Sequence, residues 1–236
     1  MKFLSCFVPV LLTLAAAGCG RPPAPPVPSE PATPRLVSLA PSLTEIVFAI
    51  GASNCLVGRT TACTYPPEAA VVPIAGDFGA PGIERLASLH PTAVLEVDLA
   101  DEAMAQKLDR LGIARRRVPC NRLDEIPSAI EEIGQLTGRD VEAVTLASAL
   151  RATVARFRDR RPAEDRRPTV FVEIWHDPLT TVGRESFVAD LVETAGGRNL
   201  GSAVDTAYYA VSPEWVVARD PDVIVSFGMA SGTNAV

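Results

Sequence analysis

Apolar positions along this chain fall into short blocks that alternate between two periods. In "RLVSLAPSLTEIVFAIGA", residues 36–39 make a brief apolar strand and Pro41 ends it. Ser42 and Glu45 then form an S-x-x-E capping box, opening a helix that closes at Gly51. A second strand, "CLVG", and a third at 71–74 precede the glycine- and proline-rich turn "DFGAPG". The helix "IERLASL" and the strand "TAVLEV" continue the alternation. Residues 100–111 place Met104, Leu108 and Leu111 at helical spacing, and a strand is expected at 115–118. A helix at 123–136 carries Ile126, Ile130 and Ile133 on one face. Strand and helix at such short intervals predict α/β layers around a mainly parallel sheet.

The rhythm then lengthens. Asp140 is placed to cap a helix that runs to residue 160, with Leu146, Leu150, Val154 and Phe157 as its apolar stripe. A strand at 169–174, a helix in "SFVADLVETAGG", a Ser212-capped helix in "SPEWVVARDP" and a strand in "DVIVSF" follow. The pattern predicts two α/β lobes, residues 35–138 and 162–236, joined by one long helix at 139–161.

The N-terminal segment does not share this pattern. Residues 3–17 are almost wholly apolar after Lys2, shorter than the roughly 20 residues of a permanent membrane helix. They are expected to be a signal peptide covering residues 1–18. Ala16, Ala17 and Gly18 lead to Cys19, which resembles the lipobox cysteine that bacterial lipoproteins lipidate. Acyl chains there would anchor the protein, each buried methylene adding roughly 0.8 kcal/mol. Residues 22–34 hold seven prolines. Such a stretch favours extended polyproline geometry, so residues 19–34 form a tether whose proline stretch reaches about 40 Å.

Charge and cysteine count narrow the picture. The chain has net charge −6, and loss of Lys2 with the signal makes it −7. An acidic chain whose two arginine clusters are short is a poor nucleic-acid binder. Cys55, Cys63 and Cys120 remain after Cys6 and Cys19 are accounted for. In an oxidising compartment one pair and one free thiol is the simplest arrangement. Cys63 and Cys120, both in loops just after predicted strands, are the expected disulfide. No nucleophile elbow, P-loop, zinc-protease helix or dinucleotide fingerprint is present, so an enzyme is the weaker class.

Several segments, "VSLAPSLTEIVFAIGA", "YPPEA", "GIERLASLHP", "HDPLTTVGRESFVADLVETAGGRNL" and "VSPEWVVARDPDVIV", carry a resemblance. Together they look like the iron-siderophore/cobalamin class of periplasmic substrate-binding proteins of ABC importers, and are most similar to its cobalamin-binding branch. The resemblance implies two Rossmann-like lobes joined by a long rigid helix, with ligand in the cleft between them. It implies a small-molecule ligand, with a corrinoid favoured and a ferric siderophore or haem as alternatives. ABC permease subunits are the implied partners. The rival role is a tethered ligand-sensing module without a transporter. No cofactor or resident metal is implied. The protein is expected in the cell envelope, exported and lipid-anchored.

Ligands gather at the carboxyl ends of strands in such lobes. The loops after two strands thus offer Thr60, Thr61 and Ala62, and Trp175 and His176, as ligand-binding positions; the resemblance implies Phe78, Gly79, Tyr208 and Tyr209 as well. Ala62 stands where cobalamin-binding relatives often carry an aromatic, and Phe78 aligns with an aromatic that stacks on ligand. Phe78 has core packing as its rival role, and Trp175 packing under its loop. Tyr208 and Tyr209 are expected to split, one inward and one to the cleft. His176 could ligate a metal centre or be a satisfied loop histidine. Glu84 and Glu214 match glutamates, one per lobe, that dock permease arginines; each could also simply complement its helix N-terminus. Relatives continue beyond the strand at 222–227, so the second lobe is expected to be incomplete at its C-terminal end.

Overall fold

The computed structural model describes residues 33–78, 80–97 and 102–227. Among them, β1 (Leu36–Ser38), β2 (Leu56–Thr60), β3 (Ile74–Asp77), β4 (Ala80–Pro81), β5 (Ala93–Glu96) and β6 (Ala114–Arg117) form one sheet in the order β4-β3-β2-β1-β5-β6. All pairings are parallel except β3 with β4. Parallel neighbours need crossovers, and helices supply them: α1 (Pro41–Ala49), α2 (Ile83–Ser88) and α3 (Glu102–Arg110).

Strand side chains alternate between two cores, as period-2 geometry requires. Leu36, Ala93 and Leu95 pack with Leu43 and Val47 of α1 on one face. Val37 and Val94 pack with Leu86 of α2 and Leu108 of α3 on the other. Each leucine or valine among them, fully withdrawn from water, contributes roughly 1.5–3 kcal/mol. This double coverage explains why strands of only three to five residues suffice.

Two helices extend the first core. α4 (Ile126–Thr137) buries Ile130 and Ile133 and ends at Gly138, whose φ of 68° suits a residue without Cβ. α5 (Asp140–Asp159) folds back along it. Their approach is close because Gly134 faces Ala143: a methyl at 134 would overlap the Ala143 methyl. The buried residues of α5 are Ala143, Ala147 and Val154, with Leu146 and Leu150 at the margin. The expected stripe is thus corrected at its end, since Phe157 is 49 % exposed.

Beyond α5 the second set of elements is smaller. β7 (Thr169–Glu173), β8 (Trp175–His176), β9 (Leu179–Val182), α6 (Phe187–Thr194), β10 (Arg198–Asn199), β11 (Tyr208–Ala210), α7 (Pro213–Val217) and β12 (Val223–Ser226) follow in order. They make a parallel β10-β7-β12 sheet and an antiparallel β11-β9-β8 sheet. Val170, Val172, Val182 and Ala189 form the core here.

Three local expectations change. The helix cap lies at Ala40, not Ser42, because Pro41 takes the first helical position, where its fixed φ and missing N–H fit. Ser42 is therefore the second residue of α1 and Glu45 the fifth. Asp140 likewise opens α5 from its first turn while Arg139 is the cap. Of the strand expected at 71–74, Val71 ends a 3-10 turn, Pro67–Val71, and only Ile74 is in a strand, because β3 begins after Pro73, which lacks a ladder donor.

Gly134→Ala tests the α4–α5 seam. Alanine should gain up to about 1 kcal/mol of helix propensity, but overpacking against Ala143 costs about 1–3 kcal/mol. The urea midpoint is expected to fall. An unchanged or higher midpoint would show that the helices separate freely.

Candidate functional site

Because β1, β2, β3, β5 and β6 run the same way, their carboxyl ends share one sheet edge. A cavity of about 860 Å³ opens there. On one wall stand Ser42, Glu45 and Ile46 of α1, with Cys120, Asn121 and Ile126 from β6 into α4. On the other stand Glu185, Ser186 and Phe187 at the start of α6, with Ala207 and Tyr208 of the β11 segment. The size lies within the range of roughly 300–1,000 Å³ that small-molecule clefts occupy.

Local structure aims these groups. Ser186 caps α6 by accepting from the Ala189 N–H at 2.9 Å, so Phe187 begins the helix at the rim. In β11, successive side chains face opposite ways. Tyr209 turns inward: its hydroxyl donates to the Gly201 carbonyl at 3.3 Å and its ring meets Trp215 edge-on. Tyr208, 50 % exposed, lines the cavity. The described lining carries two carboxylates, Glu45 and Glu185, and no basic side chain.

The two walls are tied beside the cavity. Arg122 forks onto Asp190 of α6, Nε to Oδ2 at 2.8 Å and Nη2 to Oδ1 at 2.5 Å. The Leu123 N–H donates to the same carboxylate at 3.0 Å, and Arg122 Nη1 reaches the Arg184 carbonyl at 3.3 Å. Bidentate geometry of this kind fixes orientation as well as distance.

The family model described as periplasmic binding protein matches residues 36–236. The chain belongs to that family. It is 30 % identical over 199 residues to an ABC transporter substrate-binding lipoprotein, YvrC, of Bacillus subtilis, a match covering 81 % of this chain. It spans 63 % of that relative's length. Among solved structures it resembles the periplasmic vitamin B12 binding protein BtuF of Vibrio cholerae, at TM-score 0.74 and 25 % identity, covering 82 % of this chain and 76 % of that one. The periplasmic heme-binding protein RhuT of Roseiflexus sp. RS-1 is similar at TM-score 0.72 and 29 % identity, with the same coverage.

Against this periplasmic binding protein fold, the expected site residues scatter. Thr60 is buried, its hydroxyl 3.2 Å from the Cys63 sulfur. Thr61 and Ala62 are exposed, and Thr61 donates to Asp77 Oδ1 at 2.8 Å. Phe78 is 46 % exposed after β3. Gly79 and Cys19 lie outside the described residues. Trp175 is exposed and its indole donates to the Asp177 carbonyl at 2.9 Å. His176 faces solvent with Nδ1 3.1 Å from Glu173 Oε1. Of the expected ligand positions, Tyr208 alone joins the described lining of the cavity. Glu84 and Glu214 are exposed in the first turns of α2 and α7.

The expected Cys63–Cys120 disulfide is corrected: Cys55, Cys63 and Cys120 are all free. The loops after β2 and β6 hang from strands three places apart in the sheet. That is about 14 Å at 4.8 Å per strand, whereas a disulfide spans Cα atoms at most about 7 Å apart. Cys120 instead lines the cavity. Sequence reasoning also missed Ser42, Glu45, Asn121, Glu185 and Phe187 as cavity residues. The first two had been explained as a cap, although they directly follow a strand end.

Burial, with the negative charge of Glu125 adding, pushes the Cys120 thiol up to about 11. Its alkylation by iodoacetamide, followed by peptide mass mapping, should run about 100-fold slower at pH 8 than an ordinary thiol. The rate should still climb about ninefold between pH 9 and pH 10. A plateau near pH 9 would show an unburied thiol.

Proposed function

We propose that this protein is the lipid-anchored substrate-binding component of an ABC importer, capturing a corrinoid between its lobes and handing it to the permease. The observation that carries the reading is the cleft itself. Tyr208 and Phe187 stand on one wall, and Ile46 and Ile126 on the other. Flat aromatic and aliphatic surfaces suit a large macrocycle whose edges are polar. The family, the lipoprotein relative and the vitamin B12 binding neighbour support the role. The heme-binding neighbour supports haem as a second reading.

Two further parts belong to the proposal. Cys19 carries the lipid, and the proline tether gives reach, raising the receptor's effective concentration at the transporter. Glu84 and Glu214 dock arginines of the permease. Hydrogen bonds from its own backbone N–H and from Ser212 hold the Glu214 carboxyl below the usual carboxylate range, so it stays charged at neutral pH. Trp215 fixes the same helix by packing on Phe171 and Tyr209, with the Arg219 guanidinium 3.9 Å over its ring.

Titration calorimetry of the full chain should show one-to-one binding of cyanocobalamin. Tyr208→Ala should weaken it about tenfold, close to 1.4 kcal/mol. Folded protein that takes up no corrinoid would end this reading. Replacing both Glu84 and Glu214 by alanine should leave Kd unchanged and abolish uptake in cells that rely on this importer. Persistent uptake would remove the docking role.

A further inference from the structure

We infer that Glu45 and Glu185, one from each wall of the cleft, select ligands by charge: the site accepts neutral or cationic macrocycles edged with hydrogen-bond donors and rejects those edged with carboxylates. This rests on the reading that the cavity holds the ligand, and it narrows which ligand that is.

Both glutamates line the cavity, and neither makes a salt bridge among the described residues. The nearby cations are engaged elsewhere. Arg122 is committed to Asp190. Arg184 pairs with Asp205 at 2.8 Å and donates to the Ser202 carbonyl at 3.0 Å. Behind the first wall sits a third acid, Glu125, whose carboxylate accepts the backbone N–H groups of Asn121 and Arg122 at 2.8 and 3.0 Å. The Cys120 thiol on the same wall feels Glu125 as well: besides burial, the negative charges of Glu125 and Glu132 raise its pKa.

A ligand that fills the cleft displaces water from both carboxylates. Each then needs a donor, because a desolvated carboxylate without one is costly. Amide N–H groups on a ligand's rim supply donors to both walls at once. Carboxylates on the rim place like charges in a site of reduced dielectric, where repulsion is several-fold stronger than in water. A corrinoid, whose ring bears amides, satisfies this rule. A haem bearing two propionates breaks it.

The test compares haem with its bis-amide, in which both propionates are converted to neutral amides. Cyanocobalamin is titrated in parallel. Wild-type protein should bind haem about 10–100-fold more weakly than the bis-amide. In E45Q/E185Q that ratio should fall to about threefold or less. The single variants E45Q and E185Q should each close part of the gap, which keeps the test alive if the double variant does not fold. A wild-type ratio near one, or a ratio that survives in the variants, overturns the inference even if cyanocobalamin binds. If cyanocobalamin fails but the haem ratio behaves as stated, the corrinoid assignment falls and charge selection stands. If none of the three compounds binds, both fall.

Discussion

Parallel strand pairing is the constraint from which the rest of this molecule follows. Once β1, β2, β3, β5 and β6 run in one direction, each must be joined to the next by a crossover. Helices then cover both faces of the sheet, and their apolar sides meet two separate cores. The same constraint sends the loops that leave β1, β2 and β6 to one edge. That edge is where α1 begins, where the β6–α4 loop lies, and where a cavity can form without disturbing either core.

A cleft between two walls works only if their separation is set. Here α5 is packed against α4 by a glycine–alanine contact, which makes the covalent link stiff. Arg122 and Asp190 add a second tie beside the cavity. Arg122 is partly exposed, so solvent screens the pair and its net worth in stability is modest. Its geometric role is larger: three bonds converge on one carboxylate of α6. The rim residues Glu185 and Phe187 therefore hold their position relative to Asn121 and Ile126.

Most elements of the fold were legible as pattern. The blocks around Leu36, Val94, Ile130 and Val172 are apolar at the period their structure demands, and Gly51 and Ser212 mark a helix stop and start. The two-residue strands β8 and β10 were not legible, because such lengths carry no periodicity. The disulfide expectation failed for a similar reason. Two loops that each follow a strand look equivalent along the chain, yet sheet order sets Cys63 and Cys120 far apart.

What the sequence determined by itself is the alternation of strand and helix, the long helix at 140–159 and the acidic character of the chain. These depend on residues close to one another, whose chemistry acts at short range. What only the tertiary structure decided is which side chains share the cavity. Ser42, Cys120, Glu185 and Tyr208 come from four separate stretches of chain. Their meeting depends on sheet order, on the tie across the walls and on the half-turn between Tyr208 and Tyr209 in β11. None of these is a local property, so no local pattern could announce them.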